Sequence, residues 1–247
     1  MESLIYLFAL TEAVGEDTDS GELQTFTSSG ITAHYSIEKN GDFQPEIFNE
    51  KIKDYAWVQE KVKHHDDVIH QIHFQQKSCI PAKFPSIFSS KAMLSEYLAE
   101  HHASLLPLLQ KLDDQNEWML KLTYKPEEVA DYLAQKPTDS AKENSGKAYL
   151  QSRLAAKQSE NQTADFLAKS REKWKEQLEA AFVTTHLPLP KQRLHHDEHM
   201  LQKTAILVDK ANKADDILEK LNALNFFEEK SGLYTVINGP LAPYNFC

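Results

Sequence analysis

The chain has 247 residues, 41% of them hydrophobic and 26% charged, so it can bury a sizeable core without disulfide or metal staples, and its composition is neither that of a disordered segment nor that of a membrane-embedded protein. Its 37 acidic residues against 27 basic ones give a formal net charge of −10, which opposes nonspecific attraction to nucleic acid or to an anionic membrane surface. The two cysteines, Cys79 and Cys247, lie far apart and neither has a partner at metal-ligand spacing, which fits a reducing cytoplasm.

Residues 4–10 form an apolar run rich in aliphatic and aromatic side chains, as in a buried strand. The run is too short to cross a membrane, and Glu2 stands where a signal peptide would carry Lys or Arg, so none is expected. Residues 15–30 read as a loop, and 31–37 alternate apolar with polar as a half-buried strand. Between 46 and 74, Ile47, Ile52, Tyr55, Val58, Val62, Ile69 and Phe74 recur at helical spacing, in one or two segments. Pro81 and Pro85 confine 79–88 to a short or edge strand.

A helix opens at Ser89-Ser90-Lys91 with Met93, Leu94, Tyr97, Leu98, Leu105, Leu108 and Leu109 on one face, and 117–124 reads as a strand stopped by Lys125-Pro126. This order predicts an α+β sandwich over 1–125 with helices on one face of a sheet. Residues 126–146 hold a short helix at 127–134 and then a linker-like stretch. From about 147 to 183 runs a charged helix without Gly or Pro, which would span about 55 Å. Its Leu150, Leu154, Phe166, Leu167, Trp174, Leu178 and Phe182 do not keep a heptad, so a helix docked at both ends on its own protein is expected rather than a coiled coil. A strand at 200–208, a helix at 210–227 and a strand at 233–237 complete a second α+β domain over 147–247.

The motifs that carry catalysis are missing. No Gly-x-Ser-x-Gly elbow or dinucleotide fingerprint occurs, and Ser145-Gly146-Lys147 lacks the upstream glycine of a phosphate loop. His195 and His199 stand one helical turn apart beside His196, a spacing that can present two imidazoles to one ion, but no His-Glu-x-x-His arrangement supplies a general base. The alternatives there are an ordinary surface loop and a metal site serving a metal-dependent enzyme or metal-binding regulator. His64, His65, His70 and His73 fall mainly among exposed helix positions, with one pointing inward, and His101-His102 read as helix surface. Asn161-Gln162-Thr163 matches a glycosylation acceptor by chance inside a helix.

Six stretches stand out in chain order: Tyr6-Leu7-Phe8-Ala9-Leu10, Trp57 with His65 eight residues later, Ile80-Pro81-Ala82-Lys83-Phe84-Pro85-Ser86-Ile87-Phe88, Glu117-Trp118-Met119-Leu120-Lys121-Leu122-Thr123-Tyr124, Gly146-Lys147-Ala148-Tyr149-Leu150, and Gly239-Pro240-Leu241-Ala242-Pro243-Tyr244-Asn245-Phe246. Together and collinear, they resemble one family, the gas vesicle assembly proteins of the GvpF/GvpL type. The family usually has Arg-Phe-Gly where this chain has Lys83-Phe84-Pro85, so a role needing the planar guanidinium fork does not carry over.

The resemblance implies two α+β domains, the first a modified ferredoxin-like sandwich and the second containing the long helix. It implies a cytoplasmic, vesicle-associated accessory or minor structural protein that binds the small hydrophobic shell protein, and other gas vesicle accessory proteins, without catalysis, cofactor or metal. Phe166, Trp174 and Phe182 are the candidate partner-binding residues on the long helix. Trp57, His65, Phe84, Tyr149, Gly239, Pro240, Pro243, Tyr244 and Phe246 are the family-motif positions of structural weight. The closing segment is expected to pack back on the protein, since Pro240 and Pro243 lower its entropy and Tyr244 and Phe246 supply apolar area.

Overall fold

The structure is a computed structural model that describes residues 4–13, 17–18, 21–39, 41–135, 148–189 and 199–247. The chain divides into two compact units that are not contiguous in sequence: Met1–Glu117 with Asp209–Ala211 and Pro240–Cys247, and Trp118–Val208 with Asn212–Gly239. The first unit thus stops at Glu117 and regains two later segments, where the sequence predicts one contiguous domain over 1–125.

The first unit is built on β1 (Leu4–Glu12), β2 (Gln24–Ser28), β3 (Ile31–Glu38) and β4 (Ile80–Phe88), ordered β2-β3-β1-β4. β1 runs antiparallel to both β3 and β4, with a bulge between Leu7 and Ala9 that turns Phe8 and Ala9 to the same side. Helix α1 (Pro45–Lys51) starts on proline, where the missing N–H costs nothing, and α2 (Tyr55–Gln75) starts on Asp54, whose carboxylate accepts from the N–H groups of Ala56 and Trp57. Helix α3 (Lys91–Lys111) is capped by Ser90.

Two features of this unit differ from the sequence reading. Residues 5–10 are all at most 6% exposed, so both faces of β1 are covered, not one. Helix α2 packs on the side of Tyr6 and Phe8, and α3 on the side of Leu7 and Leu10. The stretch read as a loop contains β2, which pairs with β3 through a two-residue turn at Ser29 and Gly30, both at positive φ. That geometry is the hairpin turn whose twist suits flanking strands, and Ser-Gly carries it here in place of the better-known Asn-Gly.

The end of α2 is closed by Lys210. Its ammonium donates to the carbonyls of His73 (2.9 Å), Gln76 (2.6 Å) and Lys77 (2.9 Å), so one cation gathers three carbonyls at the negative end of a helix, the last of them also bonded by the Asp114 N–H. Half-burial pulls the ammonium's pKa below the usual lysine range.

The second unit carries the sheet β6-β7-β5-β8, made of β5 (Gln115–Tyr124), β6 (Val183–Leu187), β7 (His199–Asp209) and β8 (Leu233–Leu241). β5 therefore belongs to this sheet and not to the first, where β2 takes the fourth place. β6 has no sequence signal of its own, since Val183-Thr184-Thr185 follows a helical run without a breaker, and helix α6 (Ala214–Ala223) is shorter than the 210–227 expected. Helix α4 (Pro126–Gln135) contains the whole of the short helix read at 127–134; residues 136–146 lie outside the described set.

The long helix α5 (Ala148–Ala181) has 34 residues and is about 50 Å long. Its C-terminal half is docked on the core of the second unit. Residues 159–162 are exposed, whereas Leu167, Trp174 and Leu178 enter a core with Trp118, Leu120, Leu122, Val129, Ile206, Ile217 and Leu233.

Candidate functional site

The closing segment is held by the first unit, as its apolar residues led us to expect. Ala242, Pro243 and Phe246 are buried, and Tyr244–Phe246 forms a 3-10 turn. Glu117, 1% exposed, accepts from the backbone N–H of Asn245 (2.8 Å) and from its side-chain amide. The Tyr244 hydroxyl donates to Asp66 (2.6 Å), and the Cys247 thiol donates to the Pro243 carbonyl (3.0 Å). Burial pushes that thiol up to about 12, so Cys247 is a poor nucleophile although its residue is exposed.

Glu117 is the residue that sequence reasoning quoted but gave no role; a lone acid at the start of an apolar strand was its only signal. Glu117→Ala is expected to cost about 2–3 kcal/mol, because two donors of Asn245 lose a buried charged acceptor. Hydrogen exchange should show faster exchange at residues 242–247 in that variant, with the second unit unchanged.

Three family-motif positions meet beside the sheet. His65, 3% exposed, offers Nε2–H to the Ala82 carbonyl (3.0 Å), which leaves Nδ1 to accept from the Tyr6 hydroxyl (2.9 Å). This neutral tautomer ties α2 to both β1 and β4. The Phe84 ring stands 5.7 Å from His65 and 6.4 Å from Phe43, and Trp57 stands 5.9 Å from Phe43 with Lys51 over its face. Burial lowers the pKa of His65 and raises that of Tyr6.

His73 is also fully buried, so two of the four α2 histidines point inward, not one. Its Nε2 bonds Asn116 Oδ1 (2.8 Å), and its Nδ1 is buried without a partner. Both rings are thus held inside the first unit by protein hydrogen bonds.

On the α3 side lies an apolar groove of about 460 Å³, bounded by β1, the edge strand β4, α3 and the closing segment. Leu7, Leu10, Ile80, Ile87, Phe88, Tyr97, Leu105 and Leu108 supply its walls and Tyr244 and Cys247 one end, and Lys83 is the only charged side chain among the described residues that line it. The strand at its edge is blunted. Pro81 and Pro85 have no N–H, Ala82 gives its carbonyl to His65, and the Lys83 carbonyl accepts from Ser86 Oγ (2.8 Å). An incoming strand would find few ladder partners, so side chains and not main chain must do the recognising.

The three aromatic candidates on α5 fare differently. Trp174 is fully buried, with Nε1 donating to Thr235 Oγ1 (3.1 Å), and is therefore a core residue and not a contact for a partner. Phe166 is half-buried against Tyr132 (5.4 Å), and Phe182 is half-buried under the Lys220 ammonium (4.3 Å). The Tyr149 side chain lies outside the described set.

Gly239 has its site in the second unit. At φ 156° its Cα faces the Trp118 indole, and a β-carbon there would stand 2.7 Å from two ring carbons. Pro240 follows it within β8.

His195 and His196, like Ser145-Gly146-Lys147, lie outside the described residues. His199 begins β7 with its ring 5.2 Å from Tyr124, and among the described residues no three His, Cys, Asp or Glu side chains gather as a metal site.

A model of the family described as gas vesicle synthesis protein GvpL/GvpF matches residues 4–247. Gas vesicle protein L of Streptomyces sp. (strain CB03234) is 25% identical over 210 residues, covering 83% of this chain and 76% of that protein. Two crystal structures share the fold. GvpF from Anabaena sp. PCC7120 superposes with a TM-score of 0.65 at 17% identity over 99% of this chain and 95% of that one, and GvpF from Microcystis aeruginosa with 0.63 at 14% identity over 100% and 99%. With collinear motifs, an α+β fold and a match along the whole chain in agreement, the protein belongs to the GvpL/GvpF family of gas vesicle synthesis proteins.

Proposed function

We propose that the protein acts in gas vesicle formation by holding the small hydrophobic shell protein before it joins the growing wall. The observation that carries this reading is the groove of the first unit. Its walls are aliphatic and aromatic, and its blunted edge strand favours an amphipathic helix laid along side chains over an added strand. A chaperone-like hold of this kind needs no catalytic group, and the chain offers apolar area on an otherwise acidic, water-compatible surface.

Among the described residues no helix is long and apolar enough to cross a membrane. The competing reading, a metal-dependent enzyme or metal-binding regulator using His195, His196 and His199, draws no support from the fold or from the comparisons.

The test is capture of purified shell protein by the immobilised chain. Leu108, half-buried on the groove wall, tolerates a charge without emptying the core. Leu108→Glu is expected to weaken capture by roughly tenfold or more, the effect of one central apolar contact. Unchanged capture by a folded Leu108→Glu variant would remove the groove from the mechanism.

A further inference from the structure

We propose that the second unit carries a receptor for a tyrosine side chain flanked by acidic residues on a protein partner. The cavity lies between α5 and the segment after α6, measures about 220 Å³, and stands apart from the groove of the first unit, so the proposal does not depend on that groove. Its walls are the rings of Tyr132, Phe166, Phe226 and Phe227, which suit one inserted aromatic ring.

Two serine residues line it as well. Ser170 is 9% and Ser231 3% exposed, and neither hydroxyl has a hydrogen-bond partner among the described residues. A phenylalanine would leave both unpaired, whereas a phenol can donate to one and accept from the other. The charges sit at the rim. Lys173 is fixed there by donating to the Phe226 carbonyl (2.9 Å), and Lys169, one turn earlier, pairs with the exposed Asp165 (2.7 Å). Glu228, which also lines the cavity, accepts from the Tyr132 hydroxyl (2.5 Å). Lys169 and Lys173 are exposed although they line the cavity, so they are set to meet residues that flank an inserted tyrosine, and the proposal therefore takes a peptide and not a small molecule.

The test is an NMR titration with acetyl-Glu-Tyr-Glu-amide, read at the Trp174 indole N–H, whose ring stands 6.1 Å from Phe226. Saturable binding is expected, about five- to tenfold weaker for the Tyr-to-Phe peptide, and lost when lysines replace both glutamates. The Ser170→Ala, Ser231→Ala double variant, whose circular dichroism should match the parent, is expected to bind both peptides equally. Lys173→Glu is expected to weaken the acidic peptide several-fold. Equal binding of the Tyr and Phe peptides by the parent protein would overturn the proposal, as would p-cresol binding as tightly as the peptide, or undiminished binding by Lys173→Glu.

Discussion

Acidification from pH 7 to pH 5 is expected to remove about 4 kcal/mol of stability from the first unit, and the total loss by pH 4 to reach about 6 kcal/mol. His34 and His73 are 6% and 0% exposed, and burial pulls each down to about 4, from an ordinary value of about 6.5. His34 bonds Thr11, and His73 bonds Asn116 while the Lys210 ammonium and His70 oppose a further charge. The unfolded chain thus takes up protons near pH 6.5 that the folded one refuses until near pH 4. Their contribution is complete above about pH 6.5 and is lost as pH falls towards 4, at about 1.4 kcal/mol per pH unit for each imidazole. His65 is shifted the same way by burial.

Since the whole stability of a domain is about 5–15 kcal/mol, this loss should weaken the first unit markedly at mild acidity. Urea melts followed by hydrogen exchange of the β1 peptides should show the midpoint falling from pH 7 to pH 5. The His34→Gln, His73→Gln double variant should flatten that dependence. A midpoint that stays constant over the interval would contradict the burial of these rings.

The second large effect belongs to Gly239→Ala, expected to cost about 3–5 kcal/mol. The added carbon would overlap the six-membered ring of Trp118, itself 5% exposed and wedged among Leu120, Leu122 and their neighbours, so the indole cannot step aside without disturbing the core. The backbone at φ 156° adds a conformational cost for any residue with a β-carbon. Gly30→Ala is the control. It shares a positive φ, at 82°, but has no atom within 4 Å of its new carbon, so it should lose only about 1–2 kcal/mol. Equal losses in the two variants, measured by chemical denaturation, would show that conformation and not the indole fixes glycine at 239.

These two cases show what could be read from residues alone. The unbroken apolar run of β1 was visible as a buried strand, and with hindsight its lack of alternation also says that both faces are covered. The prolines of β4 announced an edge. β2 gave little signal, since Gln24-Thr25-Phe26-Thr27-Ser28 has one large apolar residue and lies at the rim of its sheet. The allocation of β5 to the second sheet could not be read, because strand pairing is a long-range choice that no local pattern records.

The same limit holds for the sites. Periodicity placed Trp174 on an apolar stripe with Phe166 and Phe182 but could not say that the stripe's centre is core while Phe166 borders a cavity. Glu117, Asp66 and Lys210 find their partners only once segments distant in sequence come together. The Gly-Pro-x-x-Pro-Tyr-x-Phe ending, by contrast, was legible as a segment with enough apolar area and too little chain entropy to stay free. Tyr244 and Cys247 then turn out to close one end of the groove.

The central claim, that this groove holds the shell protein, is tested most directly by photo-crosslinking in cells that make gas vesicles. A photoreactive residue at position 108 faces the groove, and one at Tyr55, which is 78% exposed on α2, serves as the control site of the same unit. The groove reading predicts an adduct with the mass of the shell protein at position 108 and little or none at 55. An adduct of equal yield at both positions, or shell protein crosslinked at 55 alone, would contradict it.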